Sequence, residues 1–384
     1  MLNRSRYGRK KYVSAFFFGG NSSEHDVSKR SAKNYYDALD PEKYQIFPVL
    51  ISKKGIMIDS ETSKRVLFGE DEDELLAGLP NKNADIFGPI DSIRNLKLDV
   101  LFPSVHGNLG EDGTLAGLFR LMNIPYVGSG LRAHAISFDK VITKELMTVN
   151  GIRNTKYIVI FQNDKNKPDW DSVSKQLGEV VFVKAANQGS SVGVSRVANA
   201  EEYENALRDS FQYDEKLLVE KAVESPTELE IGLLGNDRVI TSPIGAHWAP
   251  GQDHGSGWFD YKNKFVDNSK MKYQIPAKIS PAKSKELENM AVKAYKVLGI
   301  KGFARIDFLM SKDGEIFLSE PNTLPGNTNM SLFPILFEAA GMNRSQQAEK
   351  LIQLAFEEFK REQNISYSFK ELGSEKLGQF DIKK

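Results

Sequence analysis

Residues 304–322 read ARIDFLMSKDGEIFLSEPN, and they constrain this chain more than any other stretch. Two strand-like runs flank Asp313-Gly314, a pair that favours a two-residue type I′ hairpin. If Lys312 and Glu315 close the turn, the register sets Asp307 opposite Glu320 and Arg305 opposite Asn322. A four-residue loop keeps all four on one face; only an odd loop would separate them. Opposed side chains in a sheet carry Cβ atoms about 5 Å apart. Two carboxylates that close repel unless a cation neutralises them. Asp, Glu and Asn oxygens are hard ligands suited to Mg²⁺, which usually also takes substrate phosphates. Spacing alone also fits a solvent face with scattered charges. Three oxygen donors beside an arginine favour the metal.

Composition removes several other chemistries. The 384 residues hold 51 Lys+Arg and 51 Asp+Glu, so no basic excess supports nucleic-acid binding. The chain has no cysteine, which excludes a thiol nucleophile, an iron–sulfur cluster and a Cys-built zinc site. Its five histidines, His25, His106, His134, His247 and His254, show no HExxH or HxH spacing. No apolar run approaches the ~18 residues that span a bilayer. The apolar run after Arg4, Arg6, Arg9, Lys10 and Lys11 is too short for a signal-peptide core. The expectation is a cytoplasmic protein with a solvated basic tail over 1–12 and no membrane partner.

Strand-like runs at Val13–Phe18, Ile46–Ile51 and Leu98–Val105 alternate with helical patterns near 24–39 and 114–122. This argues for a doubly wound parallel sheet over 13–140, with an irregular acidic stretch over 59–95 and a helix near 71–79. The character changes near Asp139. A smaller α+β module over 141–235 has strands at 156–161, 180–184, 216–221 and 228–234, with a polar loop over 164–171. Residues 236–364 hold the hairpin, helices over 281–298 and 346–361, and an aperiodic run over 247–269, which leaves 365–384 as a tail.

Three loops supply polar groups. Lys184 ends a strand before Asn187–Gly193, whose backbone N–H groups and hydroxyls suit a phosphate, or an ordinary hairpin turn. His106–Thr114 (HGNLGEDGT) lies at a strand–helix junction that can receive an anion, or serve only as a tight turn with a helix cap. Asn322–Ser331 follows the hairpin directly and offers amides and hydroxyls to a carboxylate, or is a plain loop. The chain has no Gly-Lys dipeptide, so it is no P-loop kinase, and no GxGxxG follows the first strand.

Together the motifs FFFGGNSSEHDVSKRSA (16–32), HGNLGEDGTLAGLF (106–119), PYVGSG (125–130), SFDK (137–140), VKAANQGSSVGVS (183–195), ELEIGLLG (228–235), FDYKNKF (259–265), and RIDF with EPNTLPGNT (305–308, 320–328) resemble the D-alanine–D-alanine ligase family of the ATP-grasp superfamily. They stand in the family's order over roughly residues 13–345. The resemblance implies an N-terminal α/β domain followed by a two-part ATP-grasp fold. It implies a cytoplasmic, homodimeric enzyme of cell-wall precursor synthesis. Its substrates would be ATP, D-alanine and a second acceptor, with Mg²⁺ as cofactor. The resemblance leaves room for a second ion, for Mn²⁺ in its place and for K⁺. ATP would phosphorylate one D-alanine carboxylate, and the second substrate would displace phosphate from the acyl carbon.

Roles carry over by motif. Glu24 resembles the residue that holds the first D-alanine's ammonium, and Ser190 belongs to a hydrogen-bonded trio with Glu24 and a loop tyrosine. Lys140, Lys184 and Lys264 match the lysines on ATP phosphates; Glu220, Lys221 and Val223 match the adenine site, and Glu228 the ribose hydroxyls. Asp307, Glu320 and Asn322 match the Mg²⁺ ligands, as the hairpin register implies independently. Arg305 and the Gly326 N–H match the oxyanion donors. His106 matches a substrate-binding position, and Ser331 with Leu332 the second substrate's carboxylate.

One departure matters. The loop motif usually ends in Lys-Tyr, and here it is Lys264-Phe265, so the trio loses a hydroxyl while Glu24 and Ser190 keep their own contact. Phe at this place resembles the ligases that accept D-lactate, whose depsipeptide gives precursors poor for vancomycin binding. An amine acceptor must shed an ammonium proton with help from nearby polar groups, whereas a hydroxy acid carries no such charge. The alternatives are a strict D-alanine–D-alanine ligase in which Phe265 only packs, and another ATP-grasp carboxylate–amine ligase. An inactive nucleotide-binding regulator would have lost lysines or metal ligands that this chain retains. Asn327 stands where a Phe is common, which alters the acceptor pocket's wall.

Overall fold

A computed structural model describes residues 6–77, 93, 95–248 and 272–366. The first unit runs β1 (Tyr12–Gly19), α1 (His25–Ala38), β2 (Tyr44–Ile51), α2 (Ser60–Leu67), α3 (Glu72–Leu75), β3 (Val100–Ser104) and α4 (Thr114–Met122). The strands form a parallel sheet in the order β2-β1-β3. Every residue of β1 is buried, as expected of a parallel strand covered on both faces. Phe16 and Phe18 pack with Tyr35 of α1 on one face, and Phe17 packs with Leu115 and Phe119 of α4 on the other. β1 ends at Gly19, whose φ is +87° and where any Cβ would collide with the Ile51 carbonyl oxygen. That turn delivers Glu24 to the start of α1.

The helix expected near 71–79 is reduced to the single turn of α3. α2 lies in the stretch that reads as irregular. Its signal is the Asp59 cap, whose carboxylate accepts from the Glu61 and Thr62 N–H groups.

Next come α5 (Leu131–Phe138), α6 (Lys140–Val149), β4 (Tyr157–Phe161), α7 (Trp170–Leu177), β5 (Val181–Ala185), β6 (Val194–Val197), α8 (Ala200–Ser210) and β7 (Lys216–Lys221). The strands make an antiparallel sheet in the order β4-β7-β5-β6 around Val183, Tyr203 and Val219. Asp139 starts α6 by accepting from the Val141 and Ile142 N–H groups. The expected polar loop over 164–171 ends early, because Asp169 caps α7 at Ser172.

The third sheet uses β8 (Thr227–Gly235), β9 (Val239–Thr241), β10 (Gly245–Trp248), β11 (Lys272–Gln274), β12 (Phe303–Met310) and β13 (Ile316–Asn322), backed by α9 (Pro281–Val297). Its order is β11-β10-β8-β12-β13, with β9 beside β8. His247 and Trp248, read as aperiodic, are strand residues; 249–269 lie outside the described residues.

The hairpin register carries a correction. The turn is not a two-residue loop closed by Lys312 and Glu315. Ser311 and Glu315 close it around three residues, with Gly314 at φ +77°. An odd loop should have split the four site residues. It does not, because the register shifts between Asp307 and Phe308, where Ser319 is the extra residue of a bulge. Asp307 therefore pairs with Glu320, and Arg305 with Asn322.

The last described elements are α10 (Leu332–Ala339) and α11 (Arg344–Gln363), which return to the first sheet. Phe333, Phe337 and Leu351 share one core cluster with Phe16, Phe102 and Tyr35. Glu349 of α11 accepts from Tyr44 at 2.6 Å and pairs with Lys43 at 2.5 Å. The segment after β13 is thus fixed against the N-terminal unit. Among the described residues no helix is long and apolar enough to cross a membrane.

Candidate active site

The hairpin supplies the charged floor. Arg305 Nε and Nη2 donate to the two Asp307 oxygens, each at 2.7 Å, and Asn322 Nδ2 donates to Asp307 Oδ2 at 2.9 Å. Strand β8 adds Glu230, opposite Asp307 in register and 2.8 Å from Arg305 Nε. Burial opposes the Arg305 charge, but the Asp307 and Glu230 carboxylates outweigh it and hold its pKa well above the ordinary value. Asp307 Oδ1 accepts one of these bonds and keeps a second lone pair, Oδ2 accepts two, and the Asn322 amide oxygen is not used in its bond to Asp307. Two opposed carboxylates and an amide oxygen suit a hard divalent cation. Among the described residues no three His, Asp or Glu side chains converge into a ready metal cluster, so Asn322 is needed to complete the set.

Above this floor lies a cavity of about 50 Å³, lined by Glu24, Glu111, Lys140, Ser190, Glu320 and Asn322 among others. Glu24 is wedged between two glycines: a Cβ on either Gly107 or Gly189 would lie 2.9 Å from Glu24 Oε2. Ser190 and Ser191 both adopt positive φ, +52° and +60°, a costly conformation for residues other than glycine. The expected Glu24–Ser190 hydrogen bond does not form. Ser190 Oγ is buried without a hydrogen-bond partner among the described residues, because the left-handed turn places it in the cavity without bonding Glu24. Glu111 was legible only as part of a Gly-rich loop. It is half-buried in the wall of the same cavity, and desolvation with the nearby Glu24 charge pushes its carboxyl up to about 8.

The lysines converge from two elements. Lys140, first residue of α6, donates to the Gln188 carbonyl, and burial lowers its pKa. Lys184 on β5 is 2.5 Å from Glu220 Oε2. Glu220 Oε1 is 2.7 Å from Lys144 Nζ and accepts from Thr155 Oγ1. The Glu220 carboxylate is therefore committed to two lysines rather than presented to a base. Sequence reasoning missed Lys144, since its partners lie on other elements. Lys221 is exposed at the end of β7, with Val223 just beyond it. Glu228 on β8 lies 3.0 Å from His247 Nε2, whose other ring nitrogen is 3.5 Å from Glu230.

His106 departs from its expected role. It is 3% exposed. Its Nδ1–H donates to the Leu324 carbonyl at 2.9 Å, so Nε2 accepts from Ser31 Oγ at 2.9 Å. The Ser31 oxygen in turn accepts from the Asn327 N–H at 3.0 Å. Both ring nitrogens are thus consumed by protein, and His106 is a strut rather than an open substrate contact. Beyond it, Gly326 lies against Ser331, where a Cβ would approach Oγ to 2.8 Å. Ser331 precedes α10 without capping it; its Oγ instead accepts from the Thr328 N–H at 2.9 Å. Leu332 starts the helix with a buried side chain, which leaves first-turn N–H groups for an anion. Lys264 and Phe265 lie outside the described residues.

Two family descriptions fit the chain. D-ala D-ala ligase N-terminus matches residues 14–129, and D-ala D-ala ligase C-terminus matches residues 146–353. A D-alanine–D-alanine ligase of Leuconostoc citreum is 54% identical over 377 residues, covering 97% of this chain and all of that protein. The solved D-alanine-D-alanine ligase of Coxiella burnetii superposes with a TM-score of 0.77 at 26% identity, covering 92% of this chain and 97% of that one. The VanG D-Ala:D-Ser ligase of Enterococcus faecalis does so at 0.72 and 28% identity, covering 90% and 99%.

Proposed function

This chain belongs to the D-alanine–D-alanine ligase family, and from that premise we propose that it joins D-alanine to a second acid at the expense of ATP. One observation carries the reading. The cavity sets Glu24 and Lys140 together with Glu320 and Asn322, an ammonium-binding carboxylate beside a phosphate-binding floor.

In this reading the first D-alanine binds with its ammonium on Glu24 and its carboxylate toward the hairpin. Lys140, Lys184 and Lys264 hold the nucleotide phosphates. Lys221, Val223 and Glu228 line the adenosine. Asp307, Glu320 and Asn322 hold Mg²⁺, which when bound neutralises charge on the transferring phosphoryl group. A carboxylate oxygen of D-alanine attacks the γ-phosphorus, and ADP leaves. The second substrate docks its carboxylate on Ser331 and the Leu332 N–H. Its nucleophile attacks the acyl carbon, Arg305 and the Gly326 N–H hold the oxyanion, and phosphate departs as the nucleophile loses a proton.

The acceptor is the finer question. The Coxiella protein is a D-alanine-D-alanine ligase and the Enterococcus protein a D-Ala:D-Ser ligase, so related chains differ in acceptor. We propose that Phe265, which lacks the tyrosine hydroxyl, lets D-lactate serve as well. The unbonded Ser190 hydroxyl supports this, since no hydrogen bond ties it to Glu24. The test is a competition assay with ATP, Mg²⁺, D-alanine and equal D-lactate at low and high pH, with products resolved by mass. The expected result is depsipeptide at low pH yielding to dipeptide at high pH. Dipeptide alone at every pH leaves a strict D-alanine–D-alanine ligase. No ADP in any mixture sinks the ligase reading.

A further inference from the structure

Lys144 has no task in that reaction, yet its side chain is only 2% exposed. It stands one helical turn beyond Lys140 on α6. Its Nζ is 2.7 Å from Glu220 Oε1 and 2.8 Å from Thr155 Oγ1, with the Tyr157 ring centroid 5.6 Å away. All of these partners belong to the protein, so Lys144 is enclosed rather than offered to a ligand. The other oxygen of Glu220 holds Lys184, whose side chain keeps 21% exposure. One buried carboxylate thus serves two cations, one shut in and one facing the site.

This arrangement solves an electrostatic problem. A lysine that binds nucleotide phosphate has to leave its resting partner, and stripping the cation from a buried carboxylate leaves an uncompensated charge. We propose that Lys144 is the standing counter-ion of Glu220 and frees Lys184 to move to a nucleotide phosphate. Lys144 is a positioning residue in this scheme. The inference rests on Lys184 being a phosphate ligand, as the proposed function has it. Burial favours a neutral Glu220, but Lys144 and then Lys184 overcome it and hold the carboxyl far below its usual range. Glu220 stays ionised, so the need for a second cation is permanent.

The test uses the full chain and steady-state kinetics. Lys144→Met makes Lys184 the sole counter-ion of Glu220. The KM for ATP is expected to rise at least about tenfold, with the KM for D-alanine unchanged. Adding Glu220→Gln removes the charge that traps Lys184, so the double variant should bind ATP more tightly than Lys144→Met alone. If Lys144 only stabilises the fold, Lys144→Met lowers the melting temperature and leaves the KM for ATP unmoved, which overturns the proposal. Should Lys144→Met not fold, the double variant is compared with Glu220→Gln. Equal KM values for ATP support the proposal, and a further rise on losing Lys144 overturns it. A wild-type chain that releases no ADP with D-alanine points instead to failure of the ligase reading.

Discussion

At the residue scale the site is built as much from missing side chains as from charged ones. Glu24 Oε2 sits where a Cβ on Gly107 or Gly189 would stand 2.9 Å away. Gly107 also has φ +70°, so replacing it would mix backbone strain with crowding. Gly189 lies outside the left-handed region and isolates the effect. Gly189→Ala should raise the KM for the first D-alanine about tenfold or more by displacing the carboxylate, with little change in melting temperature. A KM within twofold of wild type would show that Glu24 does not hold that substrate. Glu24, Lys140, Lys184 and the hairpin residues were legible because each belongs to a short motif. Lys144, Glu220 as its partner, and the His247 contacts with Glu228 and Glu230 were not. Their meaning arises from pairs 76, 19 and 17 positions apart, which no local pattern encodes.

At the element scale the hairpin shows why register can survive a wrong turn. Asp313-Gly314 suggested two loop residues, and the three-residue loop alone would have turned Glu320 away from Asp307. The Ser319 bulge restores the face. Sequence reading located nine strands by their apolar runs but missed β6, β9, β10 and β11. It also missed α2, α5, α7 and α10, of which α2 and α7 are marked by their Asp59 and Asp169 caps. The same hairpin makes a prediction about metal removal. Asp307 already accepts from Arg305 and Asn322, so the floor is satisfied by protein donors alone. Chelation with EDTA should abolish turnover while shifting the melting temperature by only a degree or two, on the order of ΔΔG below 0.5 kcal/mol. A large drop in melting temperature would mean that the cation also holds the fold together.

At the scale of the whole molecule, the N-terminal sheet and the segment after β13 share both a core and a polar strut. His106 bonds Leu324 and, through Ser31, Asn327. Burial first, and then the Arg305 charge, lower its pKa from 6.5 to about 4 against an opposing bond to Leu324. The unfolded chain therefore binds a proton that the folded chain refuses between those values. Stability from this residue is complete above pH 6.5 and is lost as pH falls toward 4, by roughly 3 kcal/mol at most. His134, also buried and lowered to about 4, adds a second contribution of the same sign. Glu111, whose carboxyl is raised to about 8, works with the opposite sign over the same window, so the comparison is with a variant. From pH 6.5 to 4 the denaturation midpoint of the wild type should fall further than that of His106→Gln. An equal fall in both would mean that His106 is protonated in the fold. The parallel sheet was legible from alternation of strands and helices, and the one antiparallel hairpin from its Asp313-Gly314 turn. The return of α11 onto the first sheet was not, because the amphipathic helix does not say which core it will cover.

The central claim is that a D-alanine carboxylate attacks the γ-phosphorus of ATP over this hairpin. It is tested most directly with D-alanine carrying ¹⁸O in its carboxylate, incubated with ATP, Mg²⁺ and the full chain. The account predicts ADP, a ligated product, and inorganic phosphate that has gained one ¹⁸O from the substrate. Unlabelled phosphate, or AMP and pyrophosphate in place of ADP, would contradict it.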